Sequence, residues 1–192
     1  MTTKLHLGCG SAYKEGWVNI DLDAPSADIQ RDLTQPLPFG DGSVSFIFTE
    51  HFVEHISRPQ AVEFFVECRR VLREGGVLRV STPNLRFLCE CYLKGNITEW
   101  GDVWGPNSGC NLMNEGMRSW GHTYVYDREE LHKVLAEAGF AHIRSVGWRE
   151  SAHSDLVGLE TRPYHQDLIL EIEKSSKSPQ PDRKQRFWQK WL

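Results

Sequence analysis

A short apolar stretch, Lys4 to Gly8, runs straight into Gly8-Cys9-Gly10, and a second, Trp17 to Ile20, runs into Asp21. This pairing constrains the chain more than any other feature. Both stretches read as strands, and the glycines between them let the backbone turn tightly. The intervening segment is about ten residues, short for a crossover helix. Further along, Ala27 to Gln30 reads as a weak strand and Val44 to Thr49 as a strong one. Pro59 suits a first helical turn, and Val62, Phe65, Cys68 and Leu72 follow at helical spacing, with Gly75-Gly76 as a left-handed stop. Val77 to Ser81 reads as a strand, Asn84 to Lys94 as a helix, and Asp127-Arg128-Glu129-Glu130 as the capped start of a helix that Gly139 ends. Phe140 to Val146 and Asp167 to Ile172 read as closing strands. The alternation predicts an α/β domain with a mostly parallel sheet.

Residues 95–126 have no clean period and are rich in Gly, Asn and Trp. They are expected to be a loop covering a substrate. Residues 1–173 then form one domain, followed by a tail over 174–192. The tail carries six Lys/Arg against one acid (+5), leaving 16 basic and 25 acidic residues before it (−9). An acidic body is a poor partner for nucleic acid, so a small-molecule acceptor is the expected partner. Phe187, Trp188, Trp191 and Leu192 lie among basic residues, and the tail is expected to serve self-association or peripheral membrane contact. No apolar run approaches the ~18 residues that span a bilayer. The amino terminus has no secretory core, and the five cysteines are odd in number; a cytoplasmic protein with free thiols is expected.

The chemistry concentrates at the first glycine turn. Its N–H groups can meet a carboxylate or phosphate, while Asp21 at the end of the next strand can accept from both hydroxyls of a ribose. Together they point to a nucleoside-bearing cofactor at the carboxyl edge of the sheet. No later glycine completes the dinucleotide fingerprint, which argues against NAD or FAD.

Four segments in order, LHLGCGS, WVNIDLD, DLTQPLPFGDGSVSFIFTEHFVEHI and RVLREGGVLRVSTPN, resemble class I S-adenosylmethionine-dependent methyltransferases, and more narrowly a small bacterial group of that class. A looser likeness runs on through GHTYVYDREELHKVLAEAGF. The resemblance implies a Rossmann-like three-layer sandwich whose sheet has seven mostly parallel strands and an antiparallel last strand. It implies S-adenosylmethionine as cofactor and S-adenosylhomocysteine as product. By position it assigns Gly8, Cys9 and Gly10 to the methionine part, Asp21 to the ribose, Asp32 and Leu33 to the adenine, and Glu50 and His51 to the floor beneath the sulfonium. It also makes a sugar or lipid-linked sugar a plausible acceptor, methylated on oxygen or nitrogen. Ser45 departs from the pattern, which usually has an acid there, and the usual helical extension before the first strand is absent.

His122, between the aromatic stretch and the capped helix, is the first candidate base, followed by His51 and Glu50. His153 and Glu160 belong to a late loop and read as surface residues. The same residues are compatible with two other functions. A cofactor-binding protein without turnover, acting through a partner, would keep the same glycine turn and Asp21. A zinc hydrolase would use His51-Phe52-Val53-Glu54-His55, which matches H-x-x-E-H and would put both histidines on one helix face. Cys89-x-Cys91 lacks a second pair, so no metal is expected there.

Overall fold

The computed structural model describes residues 2–101, 103–163 and 165–175. The basic aromatic end of the tail, from residue 176 onward, lies outside the described residues. Seven strands make one sheet: β1 (Lys4–Leu7), β2 (Val18–Asp21), β3 (Ile29–Gln30), β4 (Val44–Glu50), β5 (Leu72–Thr82), β6 (His142–Ser145) and β7 (Leu168–Glu173). Their order is β3-β2-β1-β4-β5-β7-β6. Neighbours from β3 to β5 are parallel, and β7 runs antiparallel to both β5 and β6. The strand order reverses beside β1, so the carboxyl ends of β1 and β4 open the crevice that such sheets use for ligands.

One face of the sheet is apolar. Leu5, Leu7, Ile20, Ile47, Leu78, Val80, Leu170 and Ile172 alternate toward it and pack on α1 (Arg58–Val71) and α4 (Arg128–Glu137). Helix α1 starts where Ser57 N–H donates to Gln60 Oε1 (3.0 Å) and Pro59 occupies the first turn. Ala61, Phe64, Phe65, Cys68 and Val71 form its buried stripe. Helix α4 is capped by Asp127, whose Oδ1 accepts from Glu130 N–H (2.8 Å), and stops at Gly139 (φ +90°). Arg58 ties the two helices together through Glu130 (2.6 Å) and Glu137 (2.6 Å).

The other face is built differently. No helix of the described residues connects β1 to β2, β2 to β3 or β3 to β4. His6, Asn19, Phe48, Arg79 and Glu171 point toward this face, and segment 147–162 covers part of it, with Leu156 packed on Trp17, Phe48 and Val77. The far end of the connection between β1 and β2 is gathered by one amide. Asn19 Nδ2 donates to the carbonyls of Lys14 (3.0 Å) and Trp17 (3.1 Å) and to Asp28 Oδ2 (3.0 Å). Asn19 Oδ1 accepts from Lys14 N–H (2.9 Å) and lies 3.1 Å from His6 Nδ1. Polar contacts thus replace the packing that a crossover helix would supply.

His6 is 1% exposed, and burial pushes its pKa down to about 4 against the raising effect of its bond to Asn19. The ring is therefore neutral in the folded protein and titrates near 6.5 when unfolded. Its contribution is complete above pH 6.5 and is lost as pH falls toward 4. Between pH 7 and pH 4.5 this group alone is expected to remove about 2–3 kcal/mol of stability. Urea unfolding at the two pH values measures it: His6→Gln should lose correspondingly less than the parent chain.

Two expectations need correction. The helix before β5 does not run to Gly75-Gly76. It ends at Val71, Leu72 is already extended, and Gly75 (φ +69°) lies within a bulged stretch of β5. The 95–126 stretch is not all loop either. It contains α3 (Gly109–Arg118), which packs against α2 (Leu85–Lys94) through Leu112, Leu88 and Cys91. Ser108 Oγ caps it by accepting from Asn111 N–H (3.1 Å). A Cβ on Gly116 would meet Leu88 at 2.9 Å, so this glycine permits the close approach of the two helices.

Candidate functional site

The first glycine turn has the geometry its sequence predicts. Gly8 (φ +70°) and Gly10 (φ +50°) both adopt left-handed backbone. Gly8 N–H donates to Ile20 O (2.9 Å), and a Cβ on Gly8 would strike the Phe52 ring at 2.9–3.0 Å. A Cβ on Gly10 would meet nothing within 4 Å and would project into open space. Gly10 N–H donates to Asp21 Oδ2 (2.8 Å), while Asp21 Oδ1 accepts from Asp23 N–H and Ala24 N–H (3.1 Å each). Asp21 therefore joins the turn after β1 to the turn after β2. Its two oxygens still have lone pairs for a further donor. Asp32 Oδ1 accepts from the Thr34 hydroxyl (2.7 Å) and N–H (2.8 Å), and these bonds hold its carboxyl below the usual carboxylate range. Cys9 is buried, and burial followed by the Asp21 charge pushes its thiol up, so it fills space rather than reacting.

These residues surround a cavity of about 750 Å³. Gly8, Cys9, Gly10, Asp21, Asp32, Leu33 and Glu50 all line it, as do Arg31, His51 and Phe52. Glu50 lines it with its carboxylate already engaged. Both oxygens accept from Thr161 N–H (3.0 and 3.1 Å), Oε2 from the Thr161 hydroxyl (2.7 Å) and Oε1 from Arg162 N–H (3.2 Å). Its strand-end position was legible, whereas the loop that occupies it comes from more than a hundred residues away.

A second cavity, of about 330 Å³, lies beside α2 and α3. Its wall is tryptophan: Trp100 and Trp104 are 5.7 Å apart, and Trp104 meets Trp120 edge-on at 5.3 Å. Trp104 Nε1 donates to Glu115 (2.7 Å), which fixes the central ring. The two cavities share a wall made of His51, His55 and Arg162. His51 sits just after β4 in left-handed backbone (φ 51°), a conformation costly for a residue with a Cβ. Its Nε2 lies 3.2 Å from Asp167 Oδ2 and its Nδ1 3.3 Å from Glu54 Oε1. Burial opposes its charge, but the two carboxylates outweigh burial and push its pKa up to about 9. Glu54 is buried; burial opposes its charge too, and His51 holds the carboxyl below its ordinary range.

His122 lines the second cavity, with Nδ1–H donating to Gly116 O (3.0 Å) and its ring edge-on to His55 at 5.2 Å. Burial pushes its pKa below the ordinary histidine value. The two histidines of the H-x-x-E-H motif do not share a helix face as that reading requires. His51 turns to Asp167 while His55 turns to His122, across a short 3-10 turn. His153 stacks on Phe46, and Glu160 is bound to Arg79; neither lines either cavity. Asp167 and Arg162, which sequence reasoning did not single out, complete the wall, and no local pattern marked them.

Residues 18–80 match a family model described as a methyltransferase domain. A probable S-adenosylmethionine-dependent methyltransferase of Mycolicibacterium smegmatis is 42% identical over 98 residues, covering 42% of this chain and 37% of the relative. One of Mycobacterium tuberculosis is 25% identical over 161 residues, covering 74% of this chain and 50% of the relative. The chain thus spans half or less of the length of these relatives. Among solved structures, an S-adenosylmethionine-dependent methyltransferase from Archaeoglobus fulgidus shares the fold (TM-score 0.57, 16% identity, 90% of this chain and 86% of that one). So does one from Thermotoga maritima described as a possible histamine N-methyltransferase (TM-score 0.56, 16% identity, 91% and 83%). The strand order, the glycine turn and these matches together make the chain similar to the class I S-adenosylmethionine-dependent methyltransferases, whose cofactor is S-adenosylmethionine and whose spent form is S-adenosylhomocysteine.

Proposed function

We propose that this chain transfers a methyl group from S-adenosylmethionine to a hydroxyl or amine of a small acceptor, with a sugar or lipid-linked sugar as the acceptor class. The observation that carries the reading is the meeting of two cavities at one wall. The glycine-turn cavity suits the cofactor, because a side chain at Gly10 would fill it and because Asp21 and Asp32 offer lone pairs along its rim. The tryptophan cavity suits the acceptor, since ring faces provide apolar area and its wall with the first cavity carries His51, His55 and Arg162.

The cofactor supplies an activated methyl on a sulfonium; the protein's part is alignment and exclusion of water. Alignment alone can contribute ~7–11 kcal/mol, more than a positioned base usually does. On this reading Gly8, Cys9 and Gly10 hold the amino-acid end through backbone, Asp21 holds the ribose, and Asp32 with Leu33 faces the adenine. Glu50 is a positioning residue that anchors Thr161 and Arg162 at the shared wall. His51, with a carboxylate beside each ring nitrogen, is held where the cavities join. His122 faces the acceptor from the wall of the tryptophan cavity.

Release of S-adenosylhomocysteine across a panel of glycosides and amino sugars tests the activity. His122→Ala is expected to lower turnover by about 100-fold, the lower end of what a positioned group contributes, with unchanged affinity for S-adenosylmethionine. Cofactor binding with no release for any acceptor would favour the alternative of a binding protein without turnover.

A further inference from the structure

Glu54, His55 and His122 bring one carboxylate and two imidazoles together at the inner end of the tryptophan cavity, with one potential ligand atom from each within 4.8 Å of the others. We infer that these three residues form a binding site for a first-row divalent metal ion. Its use in holding an acceptor oxygen rests on the methyl-transfer reading; the ion site itself does not.

The donor chemistry is specific. Two histidines and one carboxylate are the ligand set of many zinc and iron(II) sites, and three protein ligands leave positions open for a small molecule. Glu54 is wholly buried, with His51 as its charged neighbour. Its Oε2 accepts from the Thr82 hydroxyl (3.0 Å). Its Oε1 is near His51 Nδ1 (3.3 Å) but out of hydrogen-bond alignment, and no other donor among the described residues reaches it. A buried oxygen that takes part in no hydrogen bond, grouped with two imidazoles, is available as a ligand atom.

The surroundings are those of a supported site. A carbonyl can only accept, so the contact between His122 Nδ1 and Gly116 O places the ring proton on Nδ1. That leaves the lone pair on Nε2, the arrangement in which histidines commonly bind metals. Thr82 orients Glu54 in the same way. The backbone helps as well: Thr123 N–H donates to Glu54 O (2.7 Å), which joins the segment carrying His122 to the turn carrying Glu54 and His55. Ligand atoms about 2.0–2.2 Å from an ion lie about 3–3.5 Å from one another, so closing on a metal needs only small side-chain rotations. Because His55 and His122 line the acceptor cavity while Glu54 is shielded behind them, the open positions face that cavity.

The experiment is titration of chelator-treated full chain with cobalt(II) chloride, followed by visible absorption and calorimetry. One saturable ion per chain is expected, with a ligand-field band. His55→Ala and His122→Ala should each weaken binding by more than 10-fold, and Thr82→Val by about 10-fold as loss of an orienting partner. His142→Ala, on exposed β6, should leave it unchanged. Should Glu54→Gln fold poorly, the two histidine variants carry the test. Absence of saturable binding below millimolar cobalt, or full binding in the His55→Ala/His122→Ala double variant, overturns the site. Calorimetry with S-adenosylmethionine on the same chelated chain keeps the two readings apart. Cofactor binding without cobalt binding ends only the ion site; cobalt binding without cofactor binding supports the ion site and ends the methyl-transfer reading.

Discussion

Arg79→Met is expected to lower the unfolding free energy by about 3–5 kcal/mol, the usual cost of removing one partner from a buried charge cluster. Arg79, Glu160 and Glu171 are almost wholly inaccessible. The guanidinium donates through Nε to Glu160 Oε1 (2.6 Å) and through Nη1 to Glu171 Oε1 (2.7 Å) and the Glu150 carbonyl (2.8 Å). Without it, two carboxylates remain buried with their charge uncompensated. The loss should reach the site, because segment 147–162 is held down by the same side chain and leads into Thr161, the partner of Glu50. Urea unfolding measures the effect; a change below about 1 kcal/mol would contradict the cluster's importance. A triple replacement by Met and Leu at Arg79, Glu160 and Glu171 is expected to recover most of the stability, since no lone charge is then left inside.

Asp21→Ala is expected to weaken S-adenosylmethionine binding by about 100-fold or more. Two charge-assisted hydrogen bonds to ribose hydroxyls are worth about 1.5–3 kcal/mol each, and 1.4 kcal/mol corresponds to tenfold. The same change also removes the acceptor for Gly10, Asp23 and Ala24 N–H, so the glycine turn loses its tie to β2. Calorimetry with the cofactor and with S-adenosylhomocysteine reads the change directly, with far-ultraviolet dichroism confirming an intact sheet. Unchanged affinity would remove the central support for the cofactor assignment.

Much of this molecule was legible in its sequence for local reasons. The apolar spacing from Ala61 to Val71, the Asp127 cap and the aromatic run of β4 each encode their own element. Helix α3 was not legible because Gly109, Asn111, Asn114 and Gly116 are weak helix formers, and its stability comes from Leu88 and Cys91 on a different helix. At the carboxyl ends of β1 and β2, glycines and a strand-end acid are short-range signals, and they line one cavity. The shared wall is a long-range object: His51 meets Asp167 across 116 residues and Glu50 meets Thr161 across 111. The motif His51-x-x-Glu54-His55 was visible, but only folding decides that His55 faces His122 instead of His51.

The short link between β1 and β2 has a consequence for motion. Because the Asn19 amide secures it together with Lys14 Nζ on Leu159 O, with no helix seated on the core, residues 11–16 are expected to open locally before the sheet does. Breathing there would loosen the base of the glycine turn, so any ligand gripping that turn draws part of its binding energy into quieting a local opening. Asn19, which lines neither cavity, would then bear on affinity at the cavity that Gly8 and Gly10 line.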